Sequence, residues 1–171
     1  DYRYNHSLCV ADSAVELAER YGADKEKALV AGLLHDITKE ADVAEHFELF
    51  AEGGVMPTEL ERVNAKLWHA MSGAEYIRLK LNINDQEIYD AVRYHTTARA
   101  GMSLLEKVIY IADFVSADRV YDDVEIVREL AEKSLDELER LLDTAGGRCV
   151  ARHISCSLPK VSTAKEYGFE E

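Results

Sequence analysis

Apolar residues recur along this chain at spacings of three and four positions, which is the spacing of one helix face, and the alternation typical of strands is almost absent. The first predicted helix covers residues 4–21 and shows the pattern clearly, with an apolar face of Val10, Ala14, Leu17 and Ala18. This periodicity predicts an all-α protein, a single helical bundle of roughly seven to nine helices.

Residues suited to helix capping mark where the other helices begin. Side chains that commonly cap a helix N-terminus precede five further periodic segments: Asp24, Asp42, Thr58, Asp85 and Ser103. Thr58 with Glu61, and Ser103 with Glu106, also have the spacing of a capping box. The later predicted helices cover 25–38, 42–50, 58–81 with a break near 71–73, 85–96, 103–119, 124–134 and 136–158. Because no linker, repeat or low-complexity segment separates them, we predict one domain over 1–171.

Composition narrows the classes of function. A length of 171 residues suits one domain with a full core. The net charge of −13 argues against a nucleic acid polymer as partner, but it allows a small phosphorylated ligand held by a metal and a few local bases. No apolar run approaches the ~20 residues of a membrane span, so no membrane association is expected. Three cysteines without a CxxC pair indicate reduced thiols and a cytoplasmic location.

Six imidazole and carboxylate side chains stand out because they fall in order on predicted helical segments: His6, His35, Asp36, His69, His95 and Asp113. His35 and Asp36 end an apolar turn, and Asp113 lies in an apolar stretch, where an unpaired buried carboxylate would be costly. A bound cation would offset that cost, and these ligand types suit Fe, Mn, Zn or Ni rather than metals that prefer thiolates. A single histidine is more often a surface or core residue, and His46 and His153 are interpreted in that way.

Four segments carry a resemblance to a known family: 3–6 (RYNH), 31–39 (AGLLHDITK), 93–97 (RYHTT) and 101–113 (GMSLLEKVIYIAD). The chain resembles the HD-domain metal phosphohydrolase superfamily, whose H…HD…D pattern matches His6, His35-Asp36 and Asp113. More narrowly, it is similar to the bacterial YqeK family of symmetrical bis(5'-nucleosyl)-tetraphosphatases. The resemblance runs from position 3 to about 121, which implies a metal-binding HD core over about 3–121 and a helical extension over about 122–171.

The resemblance implies a hydrolase with two divalent metals, for which iron is favoured and Mn, Ni, Co and Zn are alternatives. It implies that His6, His35, Asp36 and Asp113 hold one metal, and that Asp36 bridges to a second held by His69 and His95. A hydroxide shared by the metals would attack an inner phosphorus of diadenosine tetraphosphate, so that two ADP are released. Asp36 and Lys39 are the expected catalytic residues.

Basic and hydroxyl side chains near the histidines are candidates for binding the substrate phosphates: Lys39, Arg93, Thr96, Thr97 and Arg99. The alternative for each is an ordinary surface charge or a helix end, and Lys107 and Arg119 are assigned to the surface. Ala98 stands where the family often has glycine. Because its Cβ resists positive φ, we expect the backbone approach to a nucleotide to differ there.

Three other interpretations stay open at this level. The same site could serve a nucleotidase or phosphodiesterase acting on mononucleotides or cyclic dinucleotides. It could also belong to a metal-bearing nucleotide sensor with little turnover, although a sensor does not need the full ligand set. A purely structural helical adaptor is least favoured, because it leaves the polar residues in apolar helix faces unexplained. The C-terminal helix is expected to pack on the domain or, as the alternative, against a second subunit in a homodimer.

Overall fold

A computed structural model describes residues 2–122 and 124–136 of the chain, and the regular elements within these ranges are all helical. The α-helices are α1 (Tyr2–Tyr21), α2 (Lys25–Leu34), α3 (Val43–Gly53), α4 (Glu59–Val63), α5 (Trp68–Leu79), α6 (Gln86–Tyr94), α7 (Leu104–Val115) and α8 (Val124–Lys133). A 3₁₀ turn over Ala65–Leu67 joins α4 to α5. The predicted all-α helical bundle is confirmed, and its eight helices in the described ranges agree with the predicted number.

The predicted capping residues begin their helices. The carboxylate of Asp24 accepts hydrogen bonds from the backbone N–H groups of Glu26 and Lys27 at the start of α2. Thr58 and Ser103 form the predicted capping boxes of α4 and α7, in which side chain and backbone bond reciprocally. These short-range bonds satisfy N–H groups that have no partner inside the helix, which is why local sequence located the helix starts so well.

Helix α7 lies at the centre of the bundle and packs against α1, α2, α6 and α8. Ten of its twelve residues are buried, and the predicted continuation of this helix to residue 119 is wrong. The last helical residue is Val115, and the backbone of the next residue, Ser116, is extended with ψ 150°. A helix that is apolar on nearly all sides belongs inside a bundle, because only there can every face be covered.

Two other boundaries differ from the predicted ones. The break expected near 71–73 is absent from α5, and the chain instead turns at Asn64, with φ −124° and ψ 87°. Helix α2 ends at Leu34 and α6 at Tyr94, so that the segments 35–40 and 95–97 are turns rather than last helical turns. His35, Asp36 and His95 therefore lie just beyond helix C-termini, where the backbone directs their side chains into the bundle.

Helices α1 and α2 approach each other very closely at Gly32. A Cβ atom built on Gly32 would lie 2.7 Å from the Cα atom of Ala11, so only a residue without a side chain fits there. This contact fixes the spacing between α1, which carries His6, and α2, which ends directly before His35. The predicted helix over 136–158 lies outside the described residues except for its first position. No helix in the described ranges is long and apolar enough to cross a membrane.

Candidate metal centre

The six predicted ligands converge in one buried cluster between α1, α2, α5, α6 and α7. We call His6, His35 and Asp113 the first half-site, and Asp36, His69 and His95 the second half-site. Ligand atoms of the first half-site all lie within 4.8 Å of one another, and the same holds for the triad of His35, Asp36 and His95. The structure thus brings together residues that are separated by more than a hundred positions in the chain.

Three of the histidines are oriented by hydrogen bonds from Nδ1. The Nδ1–H groups of His35 and His95 donate to the carbonyl oxygens of Gly32 and Val92, each at 2.7 Å. The Nδ1–H of His6 donates to Oδ2 of Asp118, also at 2.7 Å. Since Nδ1 carries the proton, each Nε2 lone pair faces the interior of the cluster, which is the arrangement that metal-binding histidines use.

Asp36 lies between the two half-sites. Its Oδ1 is 3.0 Å from Nε2 of His69 and 3.5 Å from Nε2 of His95, while its Oδ2 is 3.7 Å from Nε2 of His35. In the first half-site, Oδ1 of Asp113 is 3.1 Å from Nε2 of His6. One oxygen of Asp36 therefore faces each half-site, as a bridging carboxylate would.

The pKa values of Asp36, His35 and His69 favour the protonation states that metal ligands need, whereas the pKa of His6 favours the charged ring, from which a metal would have to displace a proton. Burial opposes ionisation of Asp36, but the neighbouring imidazoles of His35, His69 and His95 outweigh it and hold the Asp36 pKa well below its usual value. Burial lowers the pKa of His35, and it lowers the pKa of His69 to about 3. Burial also acts to lower the pKa of His6, but the hydrogen bond to Asp113 and the negative charge of Asp113 outweigh burial, so the His6 pKa is raised. An ionised carboxylate among neutral imidazoles is the state in which a metal binds.

A divalent metal fits this cluster. Nε2 of His35 is fully buried and has no hydrogen-bond partner within the described part of the chain. An unsatisfied buried nitrogen of this kind is costly unless a ligand completes it. The donors are imidazole nitrogens and carboxylate oxygens, a set suited to Fe, Mn, Zn or Ni.

Two residues at the centre were missed by sequence reasoning. Arg119, assigned to the surface, instead donates through Nη2 to Oδ1 of Asp113 and lies 3.3 Å from Nε2 of His6. Asp118 bonds His6, and its other oxygen accepts from the hydroxyl of Ser116 at 2.8 Å. The surface assignment of Arg119 is therefore wrong. Both residues follow the end of α7, where no periodic pattern indicates the direction of a side chain.

The predicted phosphate-binding residues fall into different surroundings. Nζ of Lys39 lies 3.2 Å from Oδ1 of Asp36, so this residue is at the centre. The guanidinium of Arg93 pairs with Glu61. That of Arg99 pairs with Glu106 and Asp90. Thr96 is fully buried and Thr97 is half-buried. A role in phosphate binding stays a prediction for all five.

Ala98, next to this region, has φ +54°, in the left-handed region that glycine favours. The expected resistance of its Cβ therefore does not prevent the conformation. The backbone holds it at a strain of about 1 kcal/mol.

A groove of about 280 Å³ opens beside the centre, and Arg3, Leu8, Leu33, Asp36 and Lys39 are among the residues that line it. Nη1 of Arg3 lies 3.6 Å from Oδ2 of Asp36. The groove thus presents apolar walls together with two basic side chains, the central carboxylate of Asp36 and the carboxylate of Glu40, which accepts a hydrogen bond from Nε of Arg3. A small phosphorylated molecule could reach the cluster by this route.

Asp118 should control metal affinity through His6. Replacing Asp118 with alanine removes the acceptor that keeps the proton on Nδ1 of His6, so we expect metal affinity to fall by about 10- to 100-fold. Isothermal titration with Mn²⁺ would measure the loss. Asp118→Asn is the matched variant, since its amide oxygen can still accept the bond, and it should recover most of the affinity. Equal loss in both variants would contradict this role.

A helical bundle that gathers an ordered set of histidines and aspartates in one buried cluster has the architecture of a metal-dependent hydrolase. The sequence profile of the HD domain family matches residues 3–118. The chain belongs to the HD domain family. The predicted membership is thus confirmed, while the division at residues 121 and 122 stays a prediction.

The narrower resemblance is also confirmed by characterised relatives. The chain is 43% identical over 137 residues to the symmetrical bis(5'-nucleosyl)-tetraphosphatase of Bacillus subtilis (strain 168), covering 80% of this chain and 73% of that protein. It is 36% identical to the Staphylococcus aureus (strain NCTC 8325 / PS 47) protein of the same name, with 79% and 70% covered. A crystal structure from Clostridium acetobutylicum, described as a predicted HD superfamily hydrolase involved in NAD metabolism, superposes with a TM-score of 0.83. It is 32% identical and covers 98% of this chain and 88% of its own.

Proposed function

We propose that the protein is a metal-dependent phosphohydrolase that cleaves diadenosine tetraphosphate and related dinucleoside polyphosphates symmetrically, with two ADP as products. The observation that carries this proposal is the buried cluster of six predicted ligands around Nε2 of His35, which has no hydrogen-bond partner among the residues that the structure describes. The names of the relatives supply the substrate, since those of Bacillus subtilis and Staphylococcus aureus are symmetrical tetraphosphatases.

The two half-sites and Asp36 would hold the metals. His6, His35, Asp36 and Asp113 would bind the first, and Asp36, His69 and His95 the second. Bound divalent metals supply positive charge to the phosphates and lower the pKa of a coordinated water toward ~7. Iron as the native metal, and two metals per chain, remain predictions from the family resemblance, with Mn, Ni, Co and Zn as alternatives.

The residues of the chain perform the remaining tasks. Asp36, held ionised by its neighbours, would bridge the half-sites, since Oδ1 faces His69 and His95 while Oδ2 faces His35. Lys39 and Arg3 provide positive charge where the groove meets the centre, so they can orient the phosphate chain. Leu8 and Leu33 give that side of the groove apolar walls. Arg93, Thr96, Thr97 and Arg99 are further candidates for phosphate contacts.

Metal content and product identity test the proposal together. Anaerobically purified protein should contain about two metals per chain, and chromatography should show ADP as the sole product from diadenosine tetraphosphate. Metal with AMP and ATP as products would retain the site and reject symmetrical cleavage. Little or no metal and no cleavage would favour the nucleotide sensor. Turnover of mononucleotides or cyclic dinucleotides in preference would favour the nucleotidase or phosphodiesterase alternative.

Location and assembly rest on the sequence alone. Reduced cysteines predict the cytoplasm, and a homodimer through the C-terminal helix is the alternative to packing of that helix on its own domain. Both stay predictions, since residues 137–171 lie outside the described ranges.

A further inference from the structure

Each half-site contains one basic side chain in an equivalent position. In the second half-site, Nζ of Lys39 lies 2.8 Å from Nε2 of His69 and 3.2 Å from Oδ1 of Asp36. In the first, Nη2 of Arg119 bonds Oδ1 of Asp113 and lies 3.3 Å from Nε2 of His6. Each base thus contacts one imidazole nitrogen and one carboxylate oxygen.

The two imidazole nitrogens and two carboxylate oxygens that these bases contact are the same atoms that would coordinate a metal. A metal ion and a basic side chain cannot both occupy the short distance between an imidazole nitrogen and its neighbouring carboxylate oxygen. Two buried carboxylates without cations would be strongly destabilising, which explains why a protein of this design needs a positive charge there before metal arrives.

We propose that Lys39 and Arg119 are resident cations, which hold the ligand atoms of the two half-sites in the metal-free protein and are displaced from those atoms by metal. This inference rests on the metal centre of the proposed function. It adds that the two bases compete with metal for the ligand atoms and so lower the affinity for metal. Each displaced base becomes available to the phosphates of the substrate, so metal loading would also create the anion-binding groups.

The surroundings of both residues allow such a movement. Lys39 lines the groove beside Asp36, and its side chain is partly exposed, so the released ammonium has space next to the substrate path. Arg119 is held by a second bond, because Nε of the same planar guanidinium donates to the backbone oxygen of Asp113 at 2.6 Å. Arg128 holds the backbone of that segment, donating to the carbonyl oxygens of Ser116 at 2.8 Å and Arg119 at 3.1 Å. The guanidinium of Arg119 therefore has to turn as a whole, which breaks both of its bonds to Asp113, while the backbone that carries it stays in place.

Metal titration of the chelator-treated protein tests the inference. In isothermal titrations with Mn²⁺, Lys39→Met and Arg119→Met should each raise the affinity of one binding event about tenfold, on the scale of one lost charge-assisted hydrogen bond. The same variants should lower the melting temperature of the metal-free protein. Lys39→Gln and Arg119→Gln keep hydrogen-bond donors without the charge, so they should give smaller increases in Mn²⁺ affinity. They replace the methionine variants in the titration if one of those does not fold.

Matched controls separate this effect from the loss of any ion pair. Lys27 pairs with Asp85 and Glu87 outside the cluster, and Arg78 pairs with the buried Glu75. Lys27→Met and Arg78→Met should leave Mn²⁺ affinity unchanged. A second titration, of ADP into the Mn²⁺-loaded protein, should show about tenfold weaker binding in Lys39→Met and Arg119→Met than in the wild type.

The outcomes distinguish this inference from the proposed function. Unchanged or weaker Mn²⁺ binding in both variants, with normal binding by the wild type, would overturn the resident-cation role and leave the hydrolase proposal standing. Unchanged ADP affinity would overturn the second part, in which the released bases bind phosphate. Failure of the wild type to bind Mn²⁺ would overturn the metal centre and this inference with it.

Discussion

Replacing Asp36 with asparagine is expected to remove metal binding from both half-sites and to lower turnover at least about a thousandfold, equal to about 4 kcal/mol of transition-state stabilisation. The reason is geometric, because Oδ1 of Asp36 faces His69 and His95 while Oδ2 faces His35. The amide keeps the volume of the side chain but loses its charge, and one of its two atoms becomes a donor. Metal analysis and product formation from diadenosine tetraphosphate would measure the two effects.

The control for this change is Asp12→Asn, which removes the same charge from an exposed position of α1. Metal content and turnover should be unaffected there. A thermal melt of metal-free Asp36→Asn should show a cooperative transition, so that loss of metal is not loss of fold. Full metal content and full turnover in Asp36→Asn would show that Asp36 does not bridge the half-sites.

The starts of the helices and the residues that form the buried cluster could be predicted from sequence, because both show in local patterns. Asp24, Thr58 and Ser103 cap the helices that their spacing indicated. His35 and Asp36 stood out as a polar pair in an apolar stretch, and in the structure His35 is fully buried while the Asp36 side chain is 6% exposed. Whether they bind metal is a question that the titrations above answer.

The residues that orient and neutralise the ligands could not be predicted, because their partners are remote in sequence. Asp118 and Arg119 contact His6 across 112 and 113 positions. They lie on an irregular segment after α7, where direction is set by tertiary contacts such as those of Arg128 rather than by periodicity. Local sequence carries no signal for such contacts.

Packing also reversed one local prediction. The sequence Met71-Ser72-Gly73 suggested a helix break, since serine and glycine are weak helix formers. In the structure the small side chains let α5 pack closely, and the hydroxyl of Ser72 bonds that of Thr38 at 2.8 Å. Thr38 in turn donates to the backbone oxygen of His69 at 2.9 Å. The residues that weaken the isolated helix thus fix the backbone of a predicted ligand.

His46 belongs to the same polar network, because its Nδ1 lies 2.7 Å from the hydroxyl oxygen of Ser72. Burial lowers the pKa of His46, so the ring is neutral at neutral pH. Its interpretation as an ordinary core histidine agrees with this position, which is behind His69 rather than among the ligands.

Replacing Gly32 with alanine is expected to destabilise the metal-free protein by about 2 kcal/mol, since overpacking of a tight contact costs about 1–3 kcal/mol and the better helix propensity of alanine returns only part of it. The new Cβ would lie 2.7 Å from Cα of Ala11 and 3.1 Å from its backbone nitrogen. Backbone atoms cannot rotate away, so α1 and α2 must separate. Urea denaturation would measure the loss.

The same substitution should weaken metal binding, because separation of α1 from α2 moves His6 away from His35. Gly73→Ala is the matched control on α5, another buried helical glycine. A Cβ there would meet its nearest neighbour, Oγ1 of Thr38, at an ordinary 3.4 Å, so stability should be equal or higher and Mn²⁺ affinity unchanged. If Gly32→Ala lowered stability without changing Mn²⁺ affinity, the spacing of α1 and α2 would not set the geometry of the first half-site. Loss of both together would establish that one close helix contact positions the ligands.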